Sequence, residues 1–463
     1  MLSNLSKSRI IVVGDIMLDV YFTGEVSRIS PEAPVPVVWV RQKNVTLGGA
    51  GNVALNLAKL GCTVDLFGVR GNDAYGTQMS TIIKNHGIND CLIVDDTHTT
   101  TTKTRIIGER QQLIRLDEEE IWECGNQHKD KLLQDVEKAI KKANGVILSD
   151  YNKGVLVEDI SQCIIKLCKA GECSVFVDPK RKNWERYYGA TCITPNIAEI
   201  EEISGIRVGN NENKLIEQSR KLRELYNFEW VLVTRGPQGI CLLGKDDKPI
   251  FIRSVAREVF DVSGAGDTVI ATFAAAVSCG IPFRISAEIS NLAAGIVVGK
   301  VGSQPITIME LESEWKNKDG GLNADSHKIS TVHSAELRIK TWKAIGKKII
   351  ITHGIFDSIE PVHIHRLNKA KDLGERLVVI VYPEKFFKKN ATTNELKFSQ
   401  KDRADVIAAL QCVDLVVLYD KEEINSVFEI LKPDIFIKGG DVSLDNLIGN
   451  SCVLSYNCKI ETI

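Results

Sequence analysis

The chain has 463 residues, and 58 Lys plus Arg against 60 Asp plus Glu leave a formal charge of −2. At roughly 150 residues per domain this length predicts two to four domains. The near-neutral charge excludes a global basic field for nucleic acid or an anionic membrane, so any anion must be met at a local site. With 44% hydrophobic and 25% charged residues, the chain is neither collagen-like nor largely disordered. The opening MLSNLSKSRIIVVGD is too poor in apolar residues for a signal peptide, and the weakly polar stretch at 269–281 falls short of the roughly 18 residues of a membrane span. A cytoplasmic protein is expected. The 12 cysteines form no C-x-x-C pair, which predicts buried reduced thiols rather than a zinc site or a disulfide framework.

Short β-branched runs recur in chain order: RIIVVGD at 9–15, TVDLFGV at 63–69, GVILSD at 145–150, SVFVDP at 174–179 and WVLVTRG at 230–236. Amphipathic stretches separate them, the rhythm of a parallel sheet covered on both faces. In GNVALNLAKLG, Val53, Leu57 and Leu60 share a helical face and Gly61 closes the helix. Between the first strand and that helix, residues 21–48 form a polar insertion. Its PVPVVWV run alternates like a half-exposed antiparallel strand, so a β lid is expected.

Beyond VGSQPIT the chain turns charged and glycine-marked, and residues 316–344 read as a linker after a first domain at 1–315. A second, smaller α/β domain is expected at 345–463. Its strands would be KKIIITHG, RLVVIVYP at 376–383, LVVLY at 415–419 and DIFIKGG at 434–440.

DVSGAGDT at 261–268 stands directly before an apolar stretch of helical length. Gly264, Ala265 and Gly266 make a tight turn whose free N–H groups and helix dipole suit an anion such as phosphate. Asp267, in the first turn, can take a proton from an attacking hydroxyl while those amides stabilise phosphoryl oxygens. Read alone, the same turn is also a plain helix start.

DVSGAGDT, GDIMLD at 14–19, GGAGN at 48–52 and TPNIAE at 194–199 together resemble the ribokinase-type sugar kinases. SRISPEAPVPVV and KVGSQPIT narrow the resemblance to heptose-phosphate kinases fused to an adenylyltransferase. The resemblance implies transfer of a phosphoryl group from ATP, with Mg²⁺, to the anomeric hydroxyl of D-glycero-D-manno-heptose 7-phosphate. It implies that Asp15, Asp19, Gly48, Gly49 and Asn52 orient the sugar. Lys103 and Arg105, two apart on one strand face, suit the sugar's own phosphate, although a solvated strand face explains them equally. Asn196 and Glu199 are implied near the phosphates and Mg²⁺, Glu199 as a ligand through water; a helix cap at Thr194 with an acidic first turn is the rival reading. Thr234, Arg235 and Gly236 would line the nucleotide phosphates and Asn291 the adenine, whereas Val297 and Val298 read as core.

IITHGIFDSIEPVH, FSQKDRADVIAAL and DIFIKGGD resemble the cytidylyltransferase-like nucleotidyltransferases. The resemblance implies a nucleotide site with Phe356, Asp357, His363, Lys438, Gly440 and Asp441. The family's HxGH positions fall on Glu360, Pro361, Val362 and His363, so the first histidine is a glutamate and the glycine a valine. A glutamate there repels a triphosphate. The basic loop after the second strand keeps Lys388 and Lys389 but no glycine. Two readings stay open for this half: adenylyl transfer, or a domain kept for assembly or regulation. A kinase for another sugar, or a nucleotide-binding protein without turnover, are the rivals for the whole. The expected partners are a small sugar phosphate, ATP and a second copy of the chain, with no nucleic acid or membrane.

Overall fold

The computed structural model describes residues 2–108, 111–120, 124–180, 183–245, 248–255, 259, 261–300, 304–319, 328–384, 396–419, 424–438 and 458–462. The chain divides into two compact units, residues 1–315 and 316–463.

The first unit begins with β1 (Arg9–Gly14), β2 (Ile16–Ile29), β3 (Pro36–Gly49), α1 (Ala50–Lys59), β4 (Thr63–Gly71), α2 (Ala74–Asn85) and β5 (Asn89–Asp95). It continues through β6 (Thr102–Gly108), β7 (Gln111–Glu118), α3 (Asn126–Ile140), β8 (Gly145–Ser149), α4 (Glu158–Ala170) and β9 (Ser174–Asp178). β10 (Cys192–Ile193), α5 (Ile197–Ser204), α6 (Glu212–Leu225), β11 (Trp230–Thr234), β12 (Ile240–Leu243) and β13 (Ile250–Ile252) follow, then α7 (Ala265–Ser278), α8 (Phe283–Val297) and α9 (Ile308–Asp319).

The main sheet runs β13-β12-β11-β10-β9-β8-β1-β4-β5. It is parallel from β11 to β5, with β12 and β13 antiparallel at one edge. Strands such as β1 and β8 are buried along almost their whole length because helices cover both faces. One face packs Val12, Ile147 and Phe176 against α1 and α7; the other packs Val13, Leu148 and Val177 against α3 and α4. Val53, Leu57 and Leu60 are fully buried and Gly61 takes φ 90°, as the sequence pattern predicts. Val297 and Val298 are core residues.

The lid is a separate sheet, β3-β2-β6-β7, in which β2 pairs antiparallel with β3 and parallel with β6. It therefore includes residues 102–108 and 111–118 as well as the expected 21–48. Its outer ribbon is not half-buried as alternation predicts: Trp39 is 59% exposed and Val40 45%. Helices cover the main sheet, but this ribbon extends away from that core.

The second unit holds β14 (Ile329–Thr331), α10 (Val332–Ala344), β15 (Ile349–Gly354), α11 (Pro361–Lys371), β16 (Arg376–Val381), α12 (Gln400–Ala408), β17 (Leu415–Leu418), α13 (Ile424–Leu431), β18 (Ile435–Lys438) and β19 (Lys459–Thr462). Its sheet runs β14-β17-β16-β15-β18-β19, all parallel. The expected linker over 316–344 is corrected accordingly. β14 pairs with β17, and the α10 side chains of Ala335, Ile339 and Trp342 are buried. The charged, glycine-marked composition that suggested a linker ends before this strand and helix. No disulfide links the described cysteines, and no described helix is long and apolar enough to cross a membrane.

Candidate active site

Ligands of open parallel sheets are met at the carboxyl ends of the strands. Here β1, β8, β9, β10 and β11 bring the turns after Gly14, Ser149, Asp178, Ile193 and Thr234 to one edge. Against them lies the start of α7, where Gly264 is left-handed at φ 78° and no side chain caps the helix. A Cβ at Gly264 would also stand 2.7 Å from the Asn52 amide nitrogen. The uncapped first turn leaves amide N–H groups and the positive helix end facing a pocket of about 190 Å³. Asp150, Tyr151, Asp178, Lys180, Glu199 and Asp267 are among its lining residues.

Asp267 is buried, and two donors fix its carboxylate. The Asn52 amide donates to Oδ2 at 2.7 Å, and the Tyr151 hydroxyl donates to Oδ1 at 2.7 Å. Burial raises its pKa to about 6 against these two bonds, with the Asp19 charge adding to the rise. A carboxyl titrating there is ionised at pH 7 and is still basic enough to accept a hydroxyl proton.

Asp15 corrects the sequence reading. Its carboxylate accepts the backbone N–H groups of Tyr151 (2.8 Å), Lys153 (3.0 Å) and Val155 (3.0 Å). Burial, with the Asp150 charge, lifts its pKa to about 6 in spite of these bonds. Asp15 thus shapes the 151–155 loop and does not present itself to a sugar. Asp19 lies 2.5 Å from Arg105 Nη1. Gly48 is required beside it, because a Cβ there would meet Asp19 Oδ2 at 2.5 Å. Gly49, at φ 59°, is the N-cap of α1, and its amide-rich turn places Asn52 one turn later. Arg105 and Lys103 sit on the same face of β6, both half-buried. Arg105 answers Asp19, so the expected two-cation clamp is not formed as a pair.

On the nucleotide side, Asn196 and Glu199 form a reciprocal cap of α5: Glu199 N–H donates to Asn196 Oδ1 (2.9 Å) and Asn196 N–H to Glu199 Oε2 (2.8 Å). The capping reading therefore holds, but at Asn196 rather than Thr194, and both residues still line the pocket. Thr234 lines it too, at the end of β11. Arg235 does not: its guanidinium meets Glu212 (2.9 Å) and Gln238 (3.0 Å) and lies over Phe251. Gly236 takes φ 56°, a left-handed turn directly after Arg235. Asn291 is buried and donates to the Arg253 carbonyl (2.8 Å), supporting that loop.

Asp178, Tyr151 and Lys180 are pocket residues that sequence reasoning missed. Tyr151 and Lys180 follow β8 and β9 and Asp178 ends β9, so the carboxyl-end rule for parallel strands was the signal that finds them. Burial and the charges of Asp267 and Glu199 hold Asp178 well above the usual carboxylate range, while Lys180 opposes the rise. Such mutual repulsion among acids suits a pocket that takes a cation together with phosphates. Among the described residues no three His, Cys, Asp or Glu side chains form a metal-binding group, so such a cation would depend on phosphate and water for most of its ligands.

In the second unit Phe356 takes φ 54° in the turn after β15, and Asp357 accepts the N–H groups of Lys397 and Phe398 at 3.1 Å. Asp357 therefore anchors the approach to α12. Buried Arg403 ties the same turn together through the carbonyls of Ile355, Phe398 and Tyr382. Glu360 is the N-cap of α11: its backbone carbonyl accepts from the His363 N–H at 2.9 Å, and His363 Nδ1 accepts from Glu360 N–H at 3.0 Å. His353 stacks on Phe436 and shares a 2.5 Å hydrogen bond with Tyr382; burial pushes its pKa down to about 4. Lys438 closes β18. Gly439, Gly440, Asp441, Lys388 and Lys389 lie outside the described residues.

Residues 7–309 match the pfkB family of carbohydrate kinases and residues 351–456 match the cytidylyltransferase-like family. The bifunctional protein HldE of Desulfatibacillum aliphaticivorans is 36% identical over 462 residues, covering 100% of this chain and 94% of the relative. That of Coxiella burnetii is 38% identical over 463 residues, 100% of this chain and 95% of the relative. The chain belongs to the pfkB carbohydrate kinases, in the bifunctional HldE family. Its pfkB domain shares its fold with Arabidopsis thaliana ribokinase complexed with ribose and ATP, at TM-score 0.53 and 20% identity over 66% of this chain and 98% of that one. Phosphofructokinase-2 from Escherichia coli, in complex with substrates and products, aligns at TM-score 0.56 and 15% identity, over 66% and 97%. The first domain is thus a sugar kinase, joined to a nucleotidyltransferase-family domain.

Proposed function

We propose that the first domain transfers the γ-phosphate of ATP to the anomeric hydroxyl of D-glycero-D-manno-heptose 7-phosphate, giving the 1,7-bisphosphate. The second domain, in the same proposal, later transfers adenylyl from ATP to heptose 1-phosphate, in the cytoplasm where ATP is supplied. The observation that carries the kinase reading is the buried Asp267 carboxylate, gripped by Asn52 and Tyr151 at the uncapped start of α7.

In this reading Asp267 accepts the anomeric hydroxyl's proton as that oxygen attacks phosphorus, and the Gly264, Ala265 and Gly266 turn receives the charge of the phosphoryl oxygens. Asp19 and Asn52 orient the sugar, while Asp15 holds the loop that carries Tyr151. Asn196, Glu199 and Thr234 border the ATP phosphates. Mg²⁺, bound with the phosphates beside Glu199 and Asp178, supplies charge neutralisation. The exposed apolar residues of the lid, including Ile29, Trp39 and Ile114, suit a homodimer, which sedimentation of the full chain tests.

A second reading of the C-terminal half, assembly or regulation, is favoured by one observation: an acid, Glu360, stands at the N-cap position of α11. Product masses decide both matters, after incubation with ATP and Mg²⁺ and either heptose 7-phosphate or heptose 1-phosphate. A bisphosphate from the first and ADP-heptose from the second are expected. A bisphosphate alone favours the assembly reading, and no product from heptose 7-phosphate rejects the kinase proposal.

A further inference from the structure

The carboxyl edge of the main sheet carries the kinase pocket, and a second cleft opens between α3 and the strands β4 and β5, reaching the amino edge of the sheet at Arg9. Its volume is about 420 Å³, against about 190 Å³ for the pocket beside Asp267, and small-molecule sites begin at about 300 Å³. Arg9, Asp65, Phe67 and Cys91 line it on the sheet side. Lys131, Asp135 and Lys138 line it on the helix side. Their spacing of four and then three residues keeps them on one face of α3, and Lys142 continues that row just past the helix end.

Both acids of the cleft are already paired. Asp65 accepts from Arg9 Nε at 2.7 Å, from Arg9 Nη2 at 2.9 Å and from the Asn89 amide at 2.7 Å. Asp135 accepts from Lys138 at 3.0 Å. The side chains of Lys131 and Lys142 make no hydrogen bond or ion pair among the described residues. Four cations, Arg9, Lys131, Lys138 and Lys142, against the two acids leave a local charge of +2 in a chain whose formal charge is −2. The negative end of the α3 dipole accounts for basic residues at its C-terminus, but not for Lys131 in its second turn. The cleft therefore holds cationic charge that neither the helix nor a neighbouring acid answers.

The spacing of those charges selects the ligand. Along the helix Lys131 and Lys142 are about 16 Å apart, and each side chain reaches about 6 Å, so one compact phosphate meets both only at full extension. Two anionic groups, one at each end of the cleft, meet them without that cost in side-chain freedom. We infer that this cleft is a second binding site, apart from the pocket beside Asp267, for a sugar bisphosphate, with one phosphate at Lys131 and the other at Lys142. The choice of a sugar bisphosphate, the class of the kinase product, rests on the proposed kinase reaction. Lys138, whose bond to Asp135 is solvent-exposed and weak, adds to the Lys142 end. Between the ends, the paired Arg9 and Asp65 offer polar atoms to sugar hydroxyls. A nucleotide sugar gathers its two charges in one central diphosphate and fits this spacing less well.

The test is protection of lysines from acetylation in the full-length protein, read peptide by peptide by mass spectrometry, with D-glycero-D-manno-heptose 1,7-bisphosphate added as a compound. At about 1 mM it is expected to slow acetylation of Lys131 and Lys142 about threefold or more, while Lys141, which does not line the cleft, keeps its rate. Each end also reports on the other. Lys131→Ala weakens the protection of Lys142, and Lys142→Ala that of Lys131, by about tenfold in the concentration required, with kinase turnover unchanged in both. Unslowed acetylation of Lys131 and Lys142 in the wild type overturns the site. Equal protection by heptose 7-phosphate, or stronger protection by ADP-heptose, overturns the two-ended ligand. Because the bisphosphate is supplied rather than made, these outcomes are independent of whether the kinase produces it, which product masses decide separately.

Discussion

Two helix starts in this chain show opposite uses of the same physics. α7 opens on Gly264, left-handed and without a side-chain cap, so its amide groups face the pocket beside Asp267. α11 opens on Glu360, which sets an acid at the cap position, and the Glu360 N–H donates to the His363 ring. A helix N-terminus attracts an anion in either case. In the first domain that place is left for a ligand; in the second the chain supplies the anion itself. The residue at the cap position, glycine or glutamate, decides which.

The comparison is broken most severely at the base. Asp267→Asn is expected to lower kinase turnover by about 10³-fold or more, with sugar binding retained, as read by steady-state kinetics beside a binding titration. Near-normal turnover would falsify the base assignment. Next comes the partner of Asp267: Tyr151→Phe removes one of its two donors and should cost about 10- to 100-fold in turnover, with a smaller change in KM. Glu360→Ser sharpens the other side. It removes the charge from the cap position, and adenylyl transfer to heptose 1-phosphate, followed by product mass, should rise about threefold to tenfold. An unaltered rate would show that α11 does not meet the nucleotide's phosphates.

The smallest effects are in pH. The base works ionised, so kcat/KM should be steady above pH 7 and fall as pH drops through about 6, where Asp267 titrates. Stability runs the other way. The folded carboxyl titrates above its ordinary value of 3.8, so its contribution is full below that value and is lost as pH rises through 6. The Tm difference between Asp267→Asn and wild type should therefore favour the variant more at pH 7 than at pH 4.

The sequence made the sheet and its best site motif legible because both are local. Runs such as IIVV and VILS pair β-branched residues in an unbroken buried strand, and DVSGAGDT carries glycine, acid and helix in eight consecutive residues. The roles of Asp15, Arg235 and Asn291 were not legible. Each is a polar side chain whose nearest acceptor or donor lies far along the chain, as Asp15 does from Val155 and Asn291 from Arg253. Composition misread residues 328–344 for a related reason: β14 is only three residues long and is defined by pairing with β17.

The sequence by itself determined two α/β domains, the runs that become β1, β4, β8, β9 and β11 in the first and β15, β16, β17 and β18 in the second, and the turn that sets an acid at a helix start, since periodicity and glycine conformation act within a few residues. Only the tertiary structure decided which acid is free to act. Asp267, Asp178, Asp15 and Asp150 reach the same sheet edge from three different strands and one helix, and burial raises Asp15, Asp178 and Asp267. Asp15 is engaged by three backbone amides, whereas Asp267 is gripped by two side chains and faces the pocket. Long-range hydrogen bonds make that distinction, and they exist only once the strands lie side by side.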